Sequence, residues 1–241
     1  MHIKDKLLLD HVGLAEHGPI NIVIFGDSVS HGALVDDVNF VSVYWNRLRN
    51  MLIQYRSYVP INMICSAIGG TNAMRSVARM ERDVFSHNPD LVIICFGLND
   101  VNLELHEYLD PLAQIFARCN EVGCDAIFMS PNMLNTYVAE DAPEEYREYA
   151  HKTADHQNHG RMDKYMYAAM DLARKMGIAV CDCYSKWKEL SKTEDVTMLL
   201  ANRINHPVAE MHQLFADSLY EVIMADAADA TASDSTMLQE K

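Results

Sequence analysis

The sequence predicts a single α/β domain, a doubly wound parallel sheet of five strands with helices on both faces. Two observations predict it. Five short apolar runs rich in β-branched residues recur along the chain, most of them closed by glycine or proline. Runs without polar alternation are the pattern of strands buried on both faces, as parallel strands are. Between the runs, apolar residues recur at helical spacing, and no repeat or linker interrupts the alternation. Strands that alternate with helices in this way pair in parallel through helical crossovers.

The first strand is Asn21 to Gly26 (NIVIFG), and a helix follows between Val38 and Tyr55. Ile61 to Ser66 is the second strand, introduced by Pro60 and closed by Gly69-Gly70. Thr71 is placed to cap a helix in which Met74, Val77, Ala78 and Phe85 recur at helical spacing, until Asn88-Pro89-Asp90 breaks it. Leu91 to Phe96 is the third strand, closed by Gly97. A helix over Leu112 to Cys119 ends at Gly123, and Asp125 to Ser130 is the fourth strand, stopped by Pro131. Asn132 to Asn158 is polar and acidic without a clear period, which reads as a loop over the binding crevice. Arg161 to Met176 is a helix with Met162, Met166, Met170 and Ala173 on its core stripe. Ile178 to Cys183 is the fifth strand, and Val208 to Met224 a final amphipathic helix. One domain over residues 1–225 and a flexible polar tail over 226–241 are expected.

A chain of 241 residues can bury a sizeable core. Its net charge of −14 argues against nucleic acid or an anionic membrane as partner. No run is long enough to span a bilayer, and no signal-peptide core is visible, so a cytoplasmic protein is expected. The six cysteines read as buried free thiols. Cys181 and Cys183 alternate along the fifth strand, so they are expected on opposite faces, which does not suit a shared metal. His156 and His159 with Asp155 have a metal-like spacing, but no third block supports them. A glycine fingerprint for dinucleotides and a phosphate-loop lysine are both absent, so neither a cofactor nor a metal is expected.

The chemistry gathers at the carboxyl ends of the strands, where ligands bind in open α/β sheets. With the first three strands in the order 2-1-3, Ser28 lies just past the end of the middle one. Asp27 or Ser28 would also serve as an ordinary helix cap. Gly69 lies past one neighbouring strand and Asn99 past the other. A glycine N–H can approach a developing oxyanion closely, and an asparagine amide can donate a second hydrogen bond. His206, in NRINHPVAEMH, is the candidate base, its direction set by Pro207 in the first turn of the last helix. His212 is the rival base, though a position inside that helix suits packing better. His31 is close enough to Ser28 to line a pocket, and Asp100 suits holding the turn after the third strand.

Gly26-Asp27-Ser28, the Gly69-Gly70-Thr71 turn, Gly97 to Asp100 (GLND) and His206-Pro207 occur in an order and spacing that resembles the SGNH (GDSL-type) hydrolases. The resemblance spans about residues 20–225. It implies a flavodoxin-like three-layer α/β/α fold. It also implies Ser28 as nucleophile, Gly69 and Asn99 as oxyanion donors and His206 as base. The expected substrate is a small-molecule or carbohydrate ester, with short acyl groups such as acetyl on a sugar, and no metal is needed. One block departs from the pattern. Where the family carries an aspartate three residues before the histidine, this chain has Arg203, which cannot accept the imidazole N–H. A backbone carbonyl, the Asn202 amide oxygen or a distant carboxylate must then orient His206, and the charge of Arg203 is expected to lower its pKa. The alternative reading is a weak or inactive member of the fold that binds an acylated ligand. Nothing in the sequence sets an oligomeric state.

Overall fold

The computed structural model describes residues 2–225; the tail expected over 226–241 lies outside them. Five strands, β1 (Ile20–Gly26), β2 (Ile61–Cys65), β3 (Leu91–Cys95), β4 (Asp125–Met129) and β5 (Ala179–Cys181), form one sheet. Their order is β2-β1-β3-β4-β5 and every pair is parallel. β3 is buried at every residue and β1 at all but Asn21, which is why both read as unbroken apolar runs.

Helices cover both faces. Tyr44–Tyr55 packs against His212–Met224, which also touches Cys183–Leu190. Ala73–Val77 packs against Leu105–Val122, and that helix against Arg161–Lys175. The stripe Met162, Met166, Met170 and Ala173 is buried as its spacing requires. Phe25 and Phe96 meet edge to face, with ring centroids 5.3 Å apart, beneath the carboxyl ends of the strands. The result is a three-layer α/β/α fold.

Register sets the site. Ile24 is level with Cys65 of β2, and Gly26 with Cys95 of β3, so the loops after β1, β2 and β3 leave the sheet side by side. Gly26 permits the close approach: a Cβ there would lie 2.7 Å from the Cys95 carbonyl oxygen.

Several boundaries differ from expectation, each for a physical reason. The helix read from Leu112 begins at Leu105, because a capping box between Glu104 and Glu107 starts it and Pro111 is accommodated inside. The helix read from Thr71 is instead Ala73–Val77, capped by Asn72, followed by Met80–Asp83 and a 3-10 turn at Phe85–His87, and Met74 is exposed. The segment read as a loop contains the helix Arg147–Asn158. The last helix begins at His212, preceded by a 3-10 turn at Ala209–Met211. Pro207 is therefore not in its first turn but pairs with Leu200 in an isolated bridge. β5 stops at Cys181 and Cys183 opens the next helix, so the two thiols do not face opposite sides: their sulfurs are 3.6 Å apart.

At the opposite end of the sheet the helix Ile3–Leu7 is anchored by Lys6. Its buried Nζ donates to both oxygens of Asp90 at 2.7 and 2.8 Å, and Asp90 also accepts the Asn21 N–H at 2.7 Å. Among the described residues, no helix is long and apolar enough to cross a membrane.

Candidate active site

Ser28 is the first residue of the short helix Ser28–His31 that leaves β1. Asp27, not Ser28, is the cap: its Oδ1 accepts the Val29 N–H at 3.1 Å. The serine hydroxyl is thereby left for another partner. That partner is His206, whose Nε2 lies 3.0 Å from Ser28 Oγ.

The histidine arrives from a loop far along the chain, and the loop is tightly braced. The Asn202 side-chain oxygen accepts the N–H groups of Ile204, Asn205 and His206 at 3.0–3.1 Å. The Ala201 N–H bonds the His206 carbonyl, and Val208 bonds Leu199 across the base of the loop. Asn132 Nδ2 donates to the Asn205 carbonyl at 3.0 Å, and the Asn135 N–H to the Ile204 carbonyl at 2.9 Å. Arg203 takes up a left-handed backbone conformation, φ 59°, within this turn.

The other imidazole nitrogen, Nδ1, lies 2.6 Å from the Leu34 carbonyl oxygen. A carbonyl only accepts, so Nδ1 carries the proton and Nε2 is the free base facing the serine. The Leu34 loop hangs from the helix that carries Ser28: the Ala33 N–H bonds the Ser28 carbonyl, and the Leu34 N–H bonds that of Asp37. A backbone carbonyl thus orients the imidazole, one of the expected options, while Asn202 shapes the loop instead.

Arg203 does not act on His206 as expected. Its Nε lies 3.0–3.1 Å from the Asp141 carboxylate, and its Nη1 donates to the Met198 and Leu200 carbonyls. The His206 pKa does lie below the ordinary imidazole value, but burial lowers it, and the Leu34 hydrogen bond opposes that effect only in part.

Gly69 and Asn99 line the same cleft as Ser28 and His206. Asn99 Nδ2 donates one hydrogen to the Thr71 carbonyl at 2.7 Å, leaving its second. The Gly69 N–H points to His31 Nδ1 at 3.3 Å, so His31 lines the cleft as well. His212 does not: it is buried, accepts the Tyr44 N–H and stacks on the Tyr44 ring. Burial, with Arg47 nearby, pushes its pKa down to about 4. His159 pairs with Asp155 at the surface, 2.9 Å apart. Among the described residues, no group of three or more His, Cys, Asp or Glu is arranged to hold a metal ion.

The cleft encloses about 600 Å³. Val35, Asp36, Asp37, Tyr146 and Tyr149 line it, and among the described residues no lysine or arginine does. Sequence reasoning missed Leu34, because a backbone carbonyl has no residue signature. It also left the two tyrosines unnamed inside a segment recognised only as a cover for the crevice.

Comparison with known proteins agrees with this architecture. The family model described as the GDSL-like lipase/acylhydrolase family matches residues 24–214. No curated protein matches the sequence. Three solved structures share the fold at low identity. Axe2, an acetylxylan esterase from Geobacillus stearothermophilus, superposes with a TM-score of 0.67 at 20% identity, over 86% of this chain and 95% of its own. LAE5, an α/β hydrolase from the metagenome of Lake Arreo, gives 0.65 at 21% identity over 85% and 94%. The acetyl xylan esterase AlAXEase gives 0.66 at 18% identity over 85% and 100%.

Proposed function

This chain belongs to the GDSL-like lipase/acylhydrolase family and is an SGNH-type carboxylic ester hydrolase, and on that premise we propose that it cleaves short-chain acyl esters, acetyl groups on carbohydrate included, with Ser28 as nucleophile. The observation that carries the reading is the chain of contacts from the Leu34 carbonyl through His206 to Ser28 Oγ. A hydroxyl within hydrogen-bond reach of an oriented free imidazole nitrogen is an activated nucleophile.

Ser28 Oγ attacks the ester carbonyl carbon while its proton passes to His206 Nε2. The carbonyl π electrons move onto oxygen, and the Gly69 N–H and the second Asn99 amide hydrogen stabilise that oxyanion. The Gly69 N–H exchanges its long bond to His31 for the oxyanion, a stronger acceptor. Collapse breaks the bond to the alcohol oxygen, which takes the proton from Nε2. Water then attacks the acyl-serine and gives its proton to Nε2; the acid departs and Ser28 Oγ regains a hydrogen. During each transfer the Leu34 carbonyl dipole favours the imidazolium, the part played by a carboxylate in the usual triad.

The cleft favours an uncharged ester. Tyrosines and amide side chains line it, Asp36 and Asp37 disfavour an acidic substrate, the described residues place no lysine or arginine there, and there is room for an alcohol much larger than an acetyl group. The structural relative Axe2 is an acetylxylan esterase, in keeping with a sugar as that alcohol. The binding-protein alternative rests on the missing aspartate, and the Leu34 carbonyl at His206 Nδ1 supports the esterase reading over it. The test is hydrolysis of short-chain aryl esters and acetylated sugars. Wild type is expected to turn over both, and Ser28→Ala to lose turnover by about a millionfold with an unchanged melting temperature. A variant that kept more than a small fraction of activity would remove Ser28 as nucleophile.

A further inference from the structure

Two carboxyl groups beneath the site have no part in the steps above. Asp27 precedes Ser28 and Asp100 follows Asn99, and both side chains are fully buried. Asp27 Oδ1 accepts the Val29 N–H at 3.1 Å, and Asp100 Oδ1 the Ala73 N–H at 2.9 Å. The second oxygen of each has no hydrogen-bond partner among the described residues. The two carboxyls lie within each other's field. Among the described residues, the other titratable groups that feel their charge are Tyr44, Cys95, Tyr108 and Tyr149, none of them a cation.

Geometry gives Asp100 a specific task. The loop that carries Gly69 and the turn that carries Asn99 are joined by two rungs: Asn99 Nδ2 to the Thr71 carbonyl, and the Ala73 N–H to Asp100. These rungs tie together two loops that leave different strands, β2 and β3, on either side of β1. An ionised carboxylate with no counter-charge is costly in such a place, and it would repel a developing oxyanion. We propose that Asp100, with Asp27 beneath the nucleophile, is a positioning residue that works as an uncharged acid, spacing the two oxyanion donors while keeping negative charge away from the oxygen they hold. The role rests on the oxyanion reading of Gly69 and Asn99. Burial agrees with it, pushing the Asp100 pKa up to about 7 and that of Asp27, with a further contribution from Asp100, to about 8.

Asp100 would then ionise as the pH rises through about 7 and Asp27 through about 8, bringing a fall in kcat on the alkaline side that the serine and histidine alone do not produce. Hydrolysis of a short-chain aryl ester is measured from about pH 5 to about pH 9 for wild type, Asp100→Ala, Asp100→Asn and the double Asp27→Asn/Asp100→Asn variant. Melting temperatures at each pH separate ionisation within the folded site from unfolding. Asp100→Ala is expected to lower kcat by about 100-fold with KM little changed, as for a misplaced catalytic donor. Asp100→Asn, which keeps the rung to Ala73, restores most of that loss, and the double variant holds its kcat level through the alkaline range. The role is overturned if Asp100→Asn is no better than Asp100→Ala, or if the alkaline limb is the same in wild type and the double variant. Labelling of Ser28 by a fluorophosphonate tells the two readings apart. Absence of labelling in wild type overturns the serine reading and this role with it, whereas labelling with an unaltered alkaline limb overturns this role alone.

Discussion

At the scale of the residue, His206 is held from both sides by groups that differ in how visible they are in a sequence. Ser28, on one side, is legible: it follows Gly26-Asp27 at the end of an apolar run, where a side chain stands at the mouth of the crevice. Leu34, on the other, acts through an oxygen that every residue possesses, and nothing in its side chain marks it. The same contrast explains Arg203. A cation three residues before the base suggests an electrostatic effect, yet its guanidinium is occupied by Asp141 and two loop carbonyls. Burial alone sets the direction for His206. Because burial disfavours the imidazolium, the ring stays neutral to lower pH, and with His206 as the proposed base the acidic limb of kcat/KM is expected below the ordinary histidine value of about 6.5. Arg203→Gln should leave that limb in place, since it removes a charge that does not face the ring. A limb shifted upward in the variant would show that Arg203 acts on His206 after all, and pH profiles of the two proteins decide it.

At the scale of the element, the strands are legible to within a residue or two: β1 and β3 are apolar and buried at nearly every position, and glycine or proline closes most of the runs. The helix Arg147–Asn158 escaped for the opposite reason. Its buried stripe is Ala150, Thr153, Ala154 and Gln157, two small and two polar residues that carry no hydrophobic period. The polar members are satisfied internally: Thr153 donates to Asn135 at 2.6 Å, and Gln157 accepts the Leu134 N–H and donates to Tyr184. Such a network is legible only once its partners are in place. It supports the segment 132–135 that braces the His206 loop, and the loop itself depends on Asn202. Asn202→Ala removes an acceptor shared by three N–H groups. A loss of about 1–2 kcal/mol in stability is expected, as for a lost helix cap. Turnover should fall by roughly 10–100-fold as the imidazole drifts from Ser28. Thermal melts and kcat on an aryl ester measure the two effects, and unchanged turnover would mean that the Leu34 contact alone holds the base.

At the scale of the whole molecule, the sheet separates the proposed active site from a buried ion pair at its other end. The carboxyl ends carry Ser28, Gly69, Asn99 and His206, while the amino ends carry the Lys6–Asp90 pair. The sequence shows the first end through motifs, but not the second, since a lysine in a short helix gives no sign of a carboxylate 84 residues away. Lys6→Met would leave Asp90 without its cation. A loss of about 2–3 kcal/mol is expected, below the full cost of breaking a buried pair because Asp90 keeps some solvent. The kcat of the folded enzyme should not change, and a parallel fall in kcat under folding conditions would show that the two ends are coupled. The central claim, that His206 activates Ser28, is tested most directly by the intact mass of the whole protein after treatment with a fluorophosphonate. Wild type is expected to gain a single phosphonyl group, mapped to Ser28, and both Ser28→Ala and His206→Ala to stay unmodified. A wild-type protein that does not react, or an adduct that persists in Ser28→Ala, would contradict it.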